Sequence, residues 1–188
     1  MIADISGYTE FMLRTHTDIE HSQQVITQLI NTIIEQIKIP LEISKLEGDA
    51  VFLYAVKHND AEADSSVSRQ VGEKLITFFN VFHNRLDEMI KNCDCHCGAC
   101  ANLEVLKLKI MVHSGEALFY SIQGFNELSG RDVILIHRLT KNSVANNEYI
   151  LMTEPAYADI EFPVQIDVQP GSERYDHFGD IKTLVYYP

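Results

Sequence analysis

Two stretches decide the fold of this chain: IADISGYTEF at Ile2–Phe11 and KLEGDAVFLY at Lys45–Tyr54. Each sets an aspartate, Asp4 or Asp49, in an otherwise apolar run that reads as strand. A carboxylate flanked by Ile2, Ile5, Val51 and Phe52 is costly to bury unless a cation or hydrogen bonds compensate it. Two of them brought together make the oxygen-rich seat that Mg²⁺ or Mn²⁺ takes beside a phosphate. Singly, each has a plainer reading: Asp4 as the cap of a helix beginning near Gly7, Asp49 as a turn aspartate.

Outward from these strings the pattern moves between strand and helix. Residues 2–6 read as a short buried strand ended by Gly7. Between Glu20 and Lys38, the residues Val25, Ile26, Leu29, Ile30, Ile33, Ile34 and Ile37 form a helical stripe that Pro40 stops. Leu41–Glu47 and Ala50–Val56 read as a hairpin turning at Gly48-Asp49. His58–Ser66 is polar and reads as a loop. A second long helix follows, with Val67, Val71, Leu75, Phe78, Phe79, Phe82, Leu86 and Met89 on one side. Val105–His113 and Ala117–Ile122 read as two strands meeting at HSGEA, Gly130–Asn142 as helix and Tyr149–Thr153 as strand. Two further strands fit between Pro163 and Tyr187. This order predicts an α+β fold, a mostly antiparallel sheet with helices packed on it. No repeat and no dividing linker is visible, so residues 1–188 read as one domain.

Composition narrows the partners. At 188 residues, the chain is long enough to bury roughly two-thirds of its unfolded surface. A net charge of −12, from 27 acidic and 15 basic residues, argues against a nucleic acid or an anionic membrane, since both call for clustered Lys and Arg. No apolar run approaches the ~20 residues of a membrane span and no signal peptide is visible, so a cytoplasmic protein is expected. The first strand begins at Ile2, a few residues short of what a central strand normally has before its aspartate. That start reads as a fragment or a misassigned initiation.

The motifs also carry a family resemblance. DISGYT (Asp4–Thr9) resembles the first-strand motif of the class III nucleotidyl cyclases, the adenylate and guanylate cyclases. The K-x-x-G-D of Lys45–Asp49 resembles their second-strand hairpin. MVHSGEALFYSIQG (Met111–Gly124) is similar to the family's GIHTGE…G strands, and SGRDVILIHRL (Ser129–Leu139) to its following helix, WGKTVNVASRM. Closer still is a group of bacterial cyclase-like domains without assigned function that carry GRDVILIHRL and a cysteine cluster. The resemblance spans nearly the whole chain and implies the ferredoxin-like cyclase fold.

By that resemblance Asp4 and Asp49 fall on the two aspartates that bind Mg²⁺ or Mn²⁺, and Ile5 on the position lending a backbone carbonyl. Gly7, Tyr8 and Thr9 fall where a helix start presents amides to the triphosphate, which suits an anion on physical grounds alone. Lys45 and Glu127 fall on the base-recognising positions, and Arg138 on the arginine that steadies the transition-state phosphate. The resemblance implies a homodimer with sites at its interface. One protomer supplies Asp4 and Asp49, the other Lys45, Glu127 and Arg138. It implies conversion of a nucleoside triphosphate to a cyclic nucleotide and pyrophosphate, by attack of the ribose 3′-hydroxyl on the α-phosphate. One position departs: Ile134 stands where the family has the asparagine that orients the ribose. That departure sets a second reading beside the first, a catalytically degenerate domain that binds nucleotide or metal as a sensor or interaction module. The base stays open, since Lys45 with an acid suggests ATP while Glu127 also suits a guanine or a pyrimidine.

Plainer roles are open for these side chains as well. Lys45 shares strand parity with Leu41 and Ile43, so it is expected on an apolar face, needing a ligand or a distant acid. Arg138 could form a structural salt bridge. His113 reads as a core or supporting residue rather than a catalyst.

The cysteines are a separate signal. All four lie in CDCHCGAC: Cys93, Cys95, Cys97 and Cys100, with His96 among them. In a reducing compartment thiolates this dense suit a structural Zn²⁺ that fixes a loop too polar for its own core. Cys95, Cys97 and Cys100 are the expected ligands, with Cys93 as fourth and His96 or His113 as less favoured substitutes. Disulfides, free thiols and an iron–sulfur cluster stay open. The loop is expected to lie away from the two aspartates.

Overall fold

The computed structural model describes residues 1–15, 18–57, 60–95 and 97–188. In chain order these form β1 (Ile2–Ser6), α1 (Tyr8–Arg14), α2 (Ile19–Ile34), β2 (Glu42–Glu47), β3 (Ala50–Tyr54) and α3 (Ala61–Lys91). The short α4 (Gly98–Ala101), β4 (Lys107–Val112), β5 (Leu118–Ile122), β6 (Phe125–Ser129) and α5 (Arg131–Leu139) follow. β7 (Tyr149–Thr153), α6 (Glu154–Asp159), β8 (Val168–Tyr175) and β9 (Gly179–Tyr186) complete the chain.

Seven strands make one sheet in the order β2-β3-β1-β4-β7-β9-β8, and β5 pairs with β6 in a separate hairpin. Among the described residues β4 and β7 are the one parallel pair of neighbours; every other pairing is antiparallel. This is the α+β architecture expected, with β1 at the middle of the candidate site.

Strand alternation sorts the sheet into two faces. Ala3, Ile5, Val51, Leu53, Leu108, Ile110, Ile150 and Met152 pack with the stripes of α2 (Val25, Ile26, Leu29, Ile33) and α3 (Leu75, Phe78, Phe79, Phe82). Ile2, Phe52, Met111, Leu151 and Val185 pack against Leu135, Ile136 and Leu139 of α5 on the opposite face. Asp4 shares the parity of Ile2, so its side chain belongs to the α5 face.

Two expectations are corrected. Residues 61–66 are not loop: they open α3, whose cap is Asp60, accepting from the Ala63 N–H at 2.8 Å. The acids Glu62 and Asp64 in that first turn suit a helix N-terminus, but with Ala61 and Ala63 as the only apolar residues of 61–66 there is no helical stripe to read. His58 and Asn59 of the expected loop lie outside the described residues. The second correction is the partner of β5. It pairs with β6, a strand not foreseen, through a turn whose Gln123 and Gly124 both have positive φ (49° and 87°), while β4 pairs with β1 and β7.

Candidate functional site

β1 and the β2–β3 turn meet where the two aspartates lie. Asp4 sits opposite Ala50 in the register, and Ile5 N–H donates to the Asp49 carbonyl at 3.2 Å. The two carboxylates are close enough to act on one another, the charge of Asp4 raising the Asp49 pKa. The plainer roles divide: Asp49 does sit in the β2–β3 turn, whereas the cap position of α1 is Gly7, with no side-chain cap bond, so Asp4 does not cap it.

The compensating cation for Asp4 is Lys109 of β4, its direct cross-strand neighbour, with Nζ 3.2 Å from Asp4 Oδ2. Asp49 is the less compensated of the two. Burial first, then the charge of Asp4, push its pKa up from 3.8 to about 6, with Lys109 acting the other way. Lys109 was not foreseen; the signal for it was the alternation of KLKIMV, which puts Lys109 on the side of Met111.

Gly7 turns the chain from β1 into α1 with φ 85°, and a Cβ there would come within 2.3 Å of the Val105 carbonyl oxygen. Only glycine fits. The first-turn amides of α1, at Tyr8 and Thr9, have no partner within the helix by its geometry. Ile5 has a buried side chain and gives its N–H to Asp49, so its carbonyl is the one group it has to offer a ligand.

Lys45 finds a distant acid: its Nζ donates to Glu127 Oε2 of β6 at 2.8 Å, and Glu47 is a weaker neighbour at 3.9 Å. The hydrogen bond to Glu127 raises the lysine pKa above its ordinary value. The apolar face expected for Lys45 is not there. A bulge between Ile43 and Lys45 breaks the alternation, and Ile43 is exposed.

α5 presents Ile134 and Arg138 outward. Ile134 is 54% exposed, and Arg138 forms no ion pair or hydrogen bond among the described residues. The structural salt bridge open to Arg138 is therefore not made. The other polar groups nearby are occupied. His137 lies 3.1 Å from Glu47 Oε1 and 2.7 Å from the Val133 carbonyl, while Asn142 donates to the Leu139 carbonyl and to Tyr149 Oη. His113 is a supporting residue as expected: Nδ1 meets Thr153 Oγ1 at 2.9 Å and Nε2 faces Asp132 at 3.4 Å, and burial lowers its pKa.

The cysteines gather at the start of α2, beside His21. Cys93 and Cys100 are joined in a disulfide, and Cys95 and Cys97 are free. Of the alternatives left open for these cysteines, a disulfide is present, and it engages Cys100 of the expected ligands as well as Cys93. The donor atoms of His21, Cys95, Cys97 and Cys100 all lie within 4.8 Å of one another, Cys93 is taken up by its bridge to Cys100, and His113 is engaged at the end of β4. His96 lies outside the described residues. His21 was missed although it stands four residues before Val25, one turn back along the same helical stripe.

Comparison with known proteins places this geometry. The model of the family described as "Protein of unknown function (DUF2652)" matches residues 26–149, well over half of the chain. A relative from Mycobacterium tuberculosis, "Uncharacterized protein Rv2561/Rv2562", is 28% identical over 158 residues, covering 84% of this chain and 71% of that protein. Among solved structures, the adenylyl cyclase CyaB from P. aeruginosa superposes with a TM-score of 0.68 at 13% identity, covering 100% of this chain and 91% of that one. The guanylyl cyclase Cya2 gives 0.66 at 13%, covering 99% and 88%. An adenylate cyclase from Trypanosoma brucei, solved in its monomeric state, gives 0.64 at 18%, covering 98% and 85%. Likeness at this identity carries the fold and not the activity. The chain belongs to the family described as protein of unknown function DUF2652, and its fold is that of the class III adenylyl and guanylyl cyclase domains.

Proposed function

We propose that the chain is a nucleotidyl cyclase-like domain that binds a nucleoside triphosphate with Mg²⁺ or Mn²⁺ at the interface of a homodimer. The observation that carries this reading is the carboxylate pair. Asp4 and Asp49 come together from separate elements, and the Asp49 pKa is pushed up to about 6 by burial and by Asp4. An acid held at that disadvantage is poised for a divalent cation, and the donor set of two carboxylates and the Ile5 carbonyl is hard oxygen throughout. When bound, the cation would supply Lewis acidity and charge neutralisation toward the triphosphate.

The remaining roles fall to the chain's own side chains. Gly7, Tyr8 and Thr9 would offer amides to phosphate oxygens, and Lys45 with Glu127 would take the edge of the base. Arg138, unpaired among the described residues, would reach the phosphate held by the partner protomer. One feature supports a shared site. The β5–β6 hairpin that carries Glu127 also exposes Leu118, Phe119, Ile122 and Phe125, an apolar surface that a second copy would cover.

Ile134 favours a second reading. It stands outward on α5 with no hydrogen-bonding group, and His137 and Asn142 on the same stretch are engaged elsewhere, so neither stands in for a ribose-orienting amide. The domain would then bind nucleotide and metal as a sensor and cyclise slowly or not at all. Incubating the full chain with each nucleoside triphosphate and Mn²⁺, with mass spectrometry of the products, separates the readings. Cyclic nucleotide with pyrophosphate supports the enzyme. Unchanged nucleotide with a raised melting temperature supports the sensor, and neither result defeats both.

A further inference from the structure

We propose that His21, Cys95, Cys97 and Cys100 form a Zn²⁺ site that ties the first turn of α2 to the loop between α3 and β4, with Cys93 outside the coordination set. Three thiolates and one imidazole are a structural zinc set, and it takes shape here from two segments far apart in sequence. His21 Nδ1 is 3.1 Å from Cys97 Sγ and 3.8 Å from Cys95 Sγ. Cys95 Sγ is 3.2 Å from Cys97 Sγ and 3.3 Å from Cys100 Sγ. A tetrahedron built on ~2.3 Å Zn–S bonds has edges of about 3.8 Å, so small outward shifts of these groups make room for the ion.

The surroundings already support such a centre. The Cys100 N–H lies 3.4 Å from Cys97 Sγ as donor, a bond that favours a thiolate there. Asp18, three residues before His21, accepts from the Gly98 N–H at 2.9 Å and pins the loop to the start of α2 independently of any metal. A cavity of about 330 Å³ lined by His21, Arg85, Cys93, Cys95 and Cys100 gives solvent and ions access. The site stands apart from the nucleotide reading and does not depend on it.

The disulfide and the metal site share Cys100, so they exclude each other. Reduction of the Cys93–Cys100 bond by a dithiol transfers two electrons, yielding two protein thiols and a cyclic disulfide of the reductant. Binding of Zn²⁺ then displaces the protons of the Cys95, Cys97 and Cys100 thiols. Exchange with a small-molecule disulfide, itself reduced to two thiols, re-forms the Cys93–Cys100 bond and so removes one ligand, leaving His21 Nδ1 3.1 Å from Cys97 Sγ as in this structure.

The test uses the reduced full chain loaded with one equivalent of Zn²⁺, alkylated in its native state and read by mass spectrometry. Cys93 should be labelled while Cys95, Cys97 and Cys100 are protected. Protection of all four cysteines would show a four-cysteine site without His21, and labelling of all four would show no site; either overturns the proposal. His21→Ala should weaken zinc binding more than the ~10–100-fold that loss of a supporting second partner costs, while Cys93→Ser should leave it unchanged. The reverse order for the two variants would also overturn it. Should His21→Ala fail to fold, the labelling pattern of the unaltered chain decides alone.

Discussion

Replacing Asp49 by asparagine should make the metal-free protein more stable, contrary to the usual result of altering a candidate site. The Asp49 pKa stands at about 6 in the fold against 3.8 in its ordinary state, chiefly through burial and then through Asp4. Two pKa units at ~1.4 kcal/mol each set an upper bound of about 3 kcal/mol on the cost of the charged carboxylate at neutral pH. Asp49 is only half-buried, so solvent screening reduces this to about 1–2 kcal/mol, or roughly 2–8 °C in melting temperature for a chain of this size. Asparagine keeps the side-chain acceptor and removes the charge. Because the folded pKa lies above the unfolded one, the cost is fully present above pH about 6 and fades as pH falls toward 3.8. Melting curves in EDTA at several pH values should therefore show Asp49→Asn above the unaltered protein at pH 7.5, with the gap closing by pH 4.5. Adding Mn²⁺ should reverse the order, since only the paired carboxylates bind it; at a hundredfold excess over Kd the gain is ~2.7 kcal/mol. A variant less stable than the parent in EDTA at pH 7.5, or one stabilised equally by Mn²⁺, would refute the reasoning.

Ile134→Asn should raise the rate of cyclic nucleotide formation, on the order of the 10²–10³ that one oriented donor is worth at a reacting centre, measured by product mass spectrometry. Phe125→Asp, on the exposed hairpin, should shift a homodimer to monomer in light scattering without lowering the melting temperature of the monomer. Asp60→Ala should cost about 1 kcal/mol in urea unfolding through loss of the α3 cap and leave any nucleotide binding untouched.

What the sequence made legible follows the strength of its periodic signals. The stripes Val25–Ile33 and Val71–Leu86 mark helices because each buries one face on the same side of the sheet. Gly48-Asp49 marks a hairpin because the positive φ of Gly48 suits the turn. The failures have local causes. The start of α3 has no apolar stripe, so capping and not periodicity defines it. Lys45 escapes its expected face because one bulge resets the parity of β2. Lys109 and His21 are legible only once a register or a helix face is known, since each acts on residues distant in the chain: Lys109 on Asp4, His21 on Cys97. The likeness of motif to motif singled out Asp4, Asp49, Lys45 and Glu127, yet it could not say that Lys45 and Glu127 would hold each other.

That mutual hold makes the pair a latch that is shut when nothing is bound. At 2.8 Å the ammonium and carboxylate satisfy one another, with Glu47 a second acid at 3.9 Å from the same lysine. On the proposed nucleotide reading, a base that docks there would have to open the latch. It has to hand a donor to Glu127 and an acceptor to Lys45 in the same step, and a base offering only one of these strands the other group. Discrimination would then rest on what a wrong base leaves broken, more than on what the right base adds.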